Sequence, residues 1–312
     1  MVPLVPPIKC QGIKTKIVRA IRSLSPENTP SRWIEPFCGS CVVPFNVRPE
    51  RALLCDSNEH IIRFYVDIQS GNITSGLVRE YLREQGERLK RQGEDVYYAI
   101  RDQFNREPNS LAFLFLNRAC FNGVMRFNRK GKFNVPFCRK PERFARAYIT
   151  KIANQVSTCA RILRSVEWSF QVADFRESLA LTTEHDFVYA DPPYIGRHVD
   201  YFNSWSEQDE GDLVAALKSL PCRFVLSTWY RNKYRANVNV DRDWGTERFT
   251  INTFEHFYHV GPTEELRNSM TEALISNFPG VVELHQRRKT AQQLALFDPV
   301  DQAAHEAGGN AK

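Results

Sequence analysis

The run Phe187-Val188-Tyr189-Ala190-Asp191-Pro192-Pro193-Tyr194 joins a short apolar strand to an acid, two prolines and an aromatic ring. Proline lacks an N–H and fixes φ, so neither proline continues a central strand and the chain turns off the sheet there. In an open α/β sheet, ligands bind beyond the carboxyl ends of strands. The turn presents the Asp191 carboxylate, the Pro192 carbonyl and the Tyr194 ring together. Two acceptors beside a flat face suit capture of an exocyclic amine on a planar base. A plain Pro-rich turn would carry the same four residues, so the reading depends on what stands upstream.

Upstream, Glu35-Pro36-Phe37-Cys38-Gly39-Ser40 lies between a strand, Arg32 to Phe37, and a helix start. Gly39 permits positive φ and close approach of the backbone to a ligand. The pattern is not G-x-G-x-x-G, since Val43 replaces a glycine, and no Gly-Lys-Ser/Thr follows to make a P-loop. Asp56 ends the next strand, Arg51 to Asp56, where an acid can accept both hydroxyls of a ribose. A glycine turn followed by that acid points to a nucleoside-bearing cofactor without a pyrophosphate. Asp174 follows a strand at Val166 to Phe170, and either accepts from a base amino group or caps a helix.

A third element runs from Leu116 to Phe137. Asn117, Asn122, Asn128 and Asn134 alternate there with Arg118, Arg126 and Lys132, with glycines, and with Phe121, Phe127, Phe133 and Phe137. Cations meet phosphates, Arg and Asn read base edges, and a Phe can wedge into a base stack. A solvated basic loop is the alternative, but such a surface would not need so many phenylalanines.

These groups require an α/β scaffold. Strand signals at 32–37, 51–56, 166–170, 187–190 and 223–227 alternate with helical periodicity at Ile17 to Leu24 and Asn58 to Ile68. Between about Ser75 and Leu163 helix-compatible charged stretches dominate, as in Leu77 to Lys90, Val96 to Phe104 and Pro141 to Leu163, which reads as a helical insertion. Phe254 to His259 and Glu272 to Ser276 are expected to form an edge hairpin. The 312 residues carry a net charge of +6, too modest alone to imply a nucleic-acid partner. Lys and Arg interrupt every apolar stretch near the start, so neither a signal peptide nor a membrane span is expected. Cys38-Gly-Ser-Cys41 has C-x-x-C spacing but lacks a second ligand pair, and eight scattered cysteines read as reduced thiols.

Together, the Asp191-Pro192-Pro193-Tyr194 turn, the Glu35-Pro36-Phe37-x-Gly39 turn and the Asn117 to Pro136 loop resemble the Dam-type DNA adenine-N6 methyltransferases. The resemblance extends from about Pro7 to Phe278, with the motifs in the family's order. It implies a Rossmann-like α/β S-adenosylmethionine-dependent methyltransferase fold with a helical DNA-recognition insertion. Residues 1–72 and 164–297 then form the catalytic domain, 73–163 the insertion and 298–312 a disordered tail. Also implied are S-adenosylmethionine as methyl donor, an adenine flipped from double-stranded DNA, no metal, and a monomer in the cytoplasm, with or without a cognate restriction endonuclease.

Position by position, the resemblance makes Asp191, Pro192 and Tyr194 catalytic and assigns the cofactor to Lys14, Glu35, Phe37, Gly39, Asp56, Asp174 and Asp191. It assigns DNA to Lys9, Arg118, Phe121, Asn122, Arg126, Asn128, Lys132, Asn134 and Pro136. Two departures stand out. The family's usual Lys-Trp-Ala-Gly-Gly-Lys reads Lys9-Cys10-Gln11-Gly12-Ile13-Lys14, and a leucine common in the loop is Val124. GATC is the leading target. N4-cytosine transfer and a DNA-binding relative without turnover remain open alternatives.

Overall fold

A computed structural model of the chain describes residues 2–26, 32–128, 130–194, 205–233, 235–257 and 269–280. A 3₁₀ turn at Lys14–Lys16 leads into α1 (Val18–Leu24), β1 (Trp33–Glu35), α2 (Val42–Val47), β2 (Arg51–Asp56) and α3 (Glu59–Ser70). Four helices follow without an intervening strand: α4 (Ser75–Gln92), α5 (Glu94–Phe104), α6 (Ser110–Ala119) and α7 (Arg146–Leu163). The chain then resumes alternation with β3 (Glu167–Val172), α8 (Phe175–Ala180), β4 (Phe187–Ala190), α9 (Glu207–Ser219), β5 (Arg223–Asn232) and α10 (Val238–Trp244). It closes on β6 (Thr250–Phe257) and β7 (Ser269–Ser276).

The seven strands form one sheet in the order β3-β2-β1-β4-β5-β7-β6. The first five are mutually parallel, and β7 runs antiparallel to both its neighbours. Every residue of β1 and of β4 is buried, as expected of strands covered on both faces. Strand order reverses between β1 and β4, and this switch point opens a crevice at their carboxyl ends. Trp33 of β1 stacks on Phe187 of β4 with centroids 5.0 Å apart, which fixes the two strands that flank the crevice. Burial of each such ring stabilises by roughly 1.5–3 kcal/mol.

The expected edge hairpin is present. β6 and β7 pair antiparallel at one end of the sheet, with β7 against β5 and β6 outermost. The expected end of that hairpin at His259 and the expected tail at 298–312 lie outside the described residues. The helical stretch begins with well-marked signals: Asn58 caps α3, Thr74 caps α4 and Asn109 caps α6 through their side-chain oxygens. It is not a detached body, because α6 and α7 pack directly on α3 beside the sheet. α6 is buried along nearly its whole length and forms the spine of this region.

Candidate active site

The crevice is lined by two turns that leave the sheet at its switch point. The first follows β1. Gly39 adopts a left-handed φ of +47°, and its N–H donates to Asp56 Oδ2 at 2.9 Å, while the Asn58 N–H donates to Oδ1 at 2.9 Å. Each Asp56 oxygen thus keeps acceptor capacity for a ligand. Burial pushes the Asp56 carboxyl up to about 6, against the pull of those two N–H donors. A Cβ on Gly39 would stand 3.5 Å from the Cys10 thiol, so the thiol roofs this bend. The thiol is raised well above its ordinary range by burial, and then by Asp56, Cys38 and Asp191.

The second turn follows β4. Lys14 and Asp191 form an ion pair, Nζ to Oδ1, at 2.8 Å. Lys14 is only 4% exposed, yet the Asp191 side chain remains 21% exposed and open to a partner. Lys14 Nζ also donates to the Gly12 carbonyl at 2.8 Å and stands 5.0 Å above the Tyr194 ring. Burial pushes Asp191 up to about 6, with Lys14 opposing and Glu272 reinforcing. For Lys14 burial works against the charge, but Asp191, Tyr194 and Glu272 outweigh it and hold the ammonium protonated. Tyr194 is 7% exposed, packs on Trp229, and Pro192 is buried beneath the turn.

Other predicted cofactor residues fall around these turns in different ways. Glu35 is buried at the end of β1, accepts from Trp33 Nε1 at 2.7 Å, and is pushed well above the carboxylate range by burial. Phe37 is half-buried and meets Phe175 and Trp205 with centroids 5.6 and 5.7 Å away, so three rings form one apolar wall. Asp174 is an exposed N-cap of α8, closed by a capping box with Glu177 and paired with Arg176. Of its two sequence readings, capping is the one seen.

The Leu116 to Phe137 segment is corrected more substantially. It folds as a narrow ribbon bridged at Cys120–Phe137 and Phe127–Phe133, with the Phe121 N–H donating to the Pro136 carbonyl at 2.9 Å. Phe127, Phe133 and Phe137 are buried and pack against His60, Phe104 and Tyr97 rather than facing outward. Phe121 alone of the four protrudes, at 54% exposure, beside exposed Asn122 at φ +53°. Arg118, expected on the DNA side, is buried instead. Its Nε donates to the Pro7 carbonyl at 2.6 Å and its Nη2 to Gln155 at 2.8 Å, tying the N-terminal segment to α7. Arg126 bonds Asn134 across the ribbon at 2.9 Å, and Asn128 Oδ1 caps the turn by accepting from the Lys130 and Lys132 N–H groups. Lys132 and Pro136 are exposed, and Lys9 is half-buried.

Phe175, Trp205, Trp229 and Glu272 were not singled out from the sequence. Phe175 carried a usable signal, since it follows Asp174 directly; Glu272 carried none, because only strand order brings β7 next to β5. A surface groove of about 540 Å³ between Leu4–Val5 and α7 shares no residue with the crevice. All eight cysteines are free thiols. Among the described residues no helix is long and apolar enough to cross a membrane.

A doubly wound sheet with a glycine bend and two acids at the carboxyl ends of its central parallel strands has the layout of a ligand-binding α/β fold. Residues 11–260 match the model of the D12 class N6 adenine-specific DNA methyltransferases, and the chain belongs to that family. Its relatives include the modification methylase StsI of Streptococcus sanguinis, 27% identical over 87% of this chain and 42% of that protein. The retron Ec67 DNA adenine methylase of Escherichia coli is 30% identical over 68% of this chain and 71% of its own. A Vibrio cholerae DNA adenine methylase is 33% identical over 60% and 64%. The chain thus spans less than half of the StsI protein and about two thirds of the other two. Among solved structures, the rRNA methyltransferase aviRa of Streptomyces viridochromogenes aligns over 84% of this chain and 83% of its own, at 12% identity and a TM-score of 0.36.

Proposed function

We propose that this chain transfers a methyl group from S-adenosylmethionine to N6 of an adenine flipped out of duplex DNA. One observation supports the reading: the Gly39–Asp56 hydrogen bond and the Lys14–Asp191 ion pair stand at the carboxyl ends of neighbouring parallel strands at the switch point, with the Cys10 thiol against Gly39. Left-handed Gly39 and the two free acceptor positions on Asp56 fit a ribose, and the Phe37–Phe175–Trp205 wall fits the face of a purine. S-adenosylmethionine supplies a methyl group activated by a sulfonium.

The chain's own groups answer the chemical problem on the acceptor side. Adenine N6 is a weak nucleophile because its lone pair is delocalised into the ring. Hydrogen bonds from the amino group to Asp191 and to the Pro192 carbonyl favour a more tetrahedral nitrogen and free that lone pair. Stacking of the extruded base on Tyr194 contributes about 1–3 kcal/mol. Positioning supplies most of the rest, and no basic residue with a neutral-range pKa is needed to drive attack. The proton lost from N6 leaves through Asp191 or solvent.

Residues 73–163 serve target recognition in this reading, with Phe121, Asn122 and Lys132 as its exposed groups; the chain acts in the cytoplasm as a monomer, with or without a partner nuclease. Incubation with labelled donor and duplex DNA tests the proposal. Incorporation into N6-methyladenine, found after digestion to nucleosides and lost in Asp191→Ala, supports it. Incorporation into N4-methylcytosine, or undiminished incorporation by Asp191→Ala, overturns it.

A further inference from the structure

Three cations crowd around one phenol on the face that carries the recognition ribbon. Arg118 Nη1 and Arg143 Nη2 donate to Tyr148 Oη at 3.3 and 3.4 Å. Their guanidinium groups also stand 5.7 and 5.0 Å from the Tyr148 ring. Arg143 Nε donates to the Arg118 carbonyl at 2.9 Å, so the two arginines are locked to one another. Lys9 joins them: its backbone is held on both sides by Asn117, at 2.8 and 2.9 Å, and its stem lies over Gly123.

Among the described residues, every acceptor in this cluster is neutral: the Pro7 and Arg118 carbonyls, the Gln155 amide oxygen and the Tyr148 hydroxyl. Among the described residues, neither arginine reaches a carboxylate, and the Lys9 ammonium has no hydrogen bond or ion pair. Burial, together with Arg143 and Arg118, pulls Lys9 below its ordinary range. Burial opposes ionisation of Tyr148, but Arg118, Lys9 and Arg143 outweigh it and lower the phenol. Tyr148 also sits in the first turn of the 18-residue α7, whose N-cap Ala145 offers no side-chain acceptor, so the positive end of that helix adds to the field. Partly buried like charges without a counter-ion are costly, and proteins keep them where an anion arrives. Lys9, Arg143 and Tyr148 are each half-buried, so their outer surfaces are reachable.

We propose that Lys9, Arg143 and Tyr148 form a phosphate subsite for the DNA backbone, with Arg118 fixing them from within. The inference rests on the methyltransferase reading and goes beyond it by assigning a backbone anchor outside the catalytic crevice. Its chemistry is electrostatic and does not read bases.

The test is anisotropy titration of duplex DNA against wild type, Lys9→Met, Arg143→Met, Arg143→Lys and Tyr148→Phe across a range of salt. Each lost phosphate contact lowers the slope of log K against log salt by about 0.9. The expected result is that reduction for Lys9→Met and Arg143→Met, equal on unrelated sequences, with the slope restored in Arg143→Lys. Weaker binding confined to the target duplex, and absent on duplexes altered at one base pair, would overturn it in favour of base reading. Unchanged slopes in folded variants would overturn it in favour of a purely internal cluster. Methyl transfer measured on the same preparations separates the two readings: wild-type transfer with unchanged slopes defeats this inference alone, and absent transfer defeats the proposed function.

Discussion

Lys14 Nζ stands 2.8 Å from Asp191 Oδ1, so one oxygen of the acid that follows β4 already has a cationic partner. The ammonium favours the ionised carboxylate and fixes its orientation. The 21% exposure of Asp191 leaves its remaining acceptor positions for the substrate.

Replacing Asp191 by Asn keeps the shape but puts an NH₂ where an acceptor is needed. Single-turnover methyl transfer is expected to fall by about 10²–10³-fold, the size of effect seen when one preorganised electrostatic group is lost. Donor affinity by calorimetry should change far less, because Asp56 and Gly39 are untouched.

The acid limb of the pH profile follows from Asp191. Its pKa is raised to about 6, so the acceptor-only carboxylate disappears as pH falls through that value, and the chemical step should fall with it. Lys14→Met removes the group that opposes burial, so the limb should move to higher pH. The sign for stability is opposite. A carboxyl raised in the folded state contributes stability fully below its unfolded pKa, and that contribution is lost as pH rises through about 6. A wild-type limb that stays put in Lys14→Met would break the link between the pair and the profile.

Asp56→Asn should weaken donor binding by about 1.5–3 kcal/mol, the range for a charge-assisted hydrogen bond. Since Asp56 is itself raised to about 6, wild-type donor affinity should decline through the same pH window, and Asp56→Asn should abolish that decline. Calorimetry across pH reads both effects independently of turnover.

Arg118→Met tests the reassignment of that residue from surface to interior. The change strands the Pro7 carbonyl and Gln155 and unties the N-terminal segment, for a cost of about 2–4 kcal/mol in thermal or urea unfolding. A fully stable variant would mean the guanidinium is not part of the packed interior.

What the sequence disclosed depended on how local the signal was. Arg51–Asp56 and Phe187–Ala190 are read directly as strands because an acid or a proline ends each one. The site acids follow from those ends. The ribbon misled because alternating Phe and cation describes two arrangements equally: rings out on a nucleic-acid face, or rings in beneath a basic surface. Phe127, Phe133 and Phe137 take the second because α3 offers His60 and α5 offers Phe104 and Tyr97 to cover them, and nothing within the ribbon announces that. Glu272 was invisible for a similar reason. Its place near Lys14 depends on β7 slipping between β5 and β6, a long-range choice.

The register that sets Trp33 opposite Phe187 has a consequence for biosynthesis. The halves of the crevice are encoded far apart, and everything between them must be threaded and packed before β4 can dock. A nascent chain halted between Phe137 and Asp191 therefore carries the residues of the bend and the ribbon but not the acid that follows β4. On the proposed reading such a fragment lacks the acceptor-side acid, and competence waits on β4 and the strands that follow it.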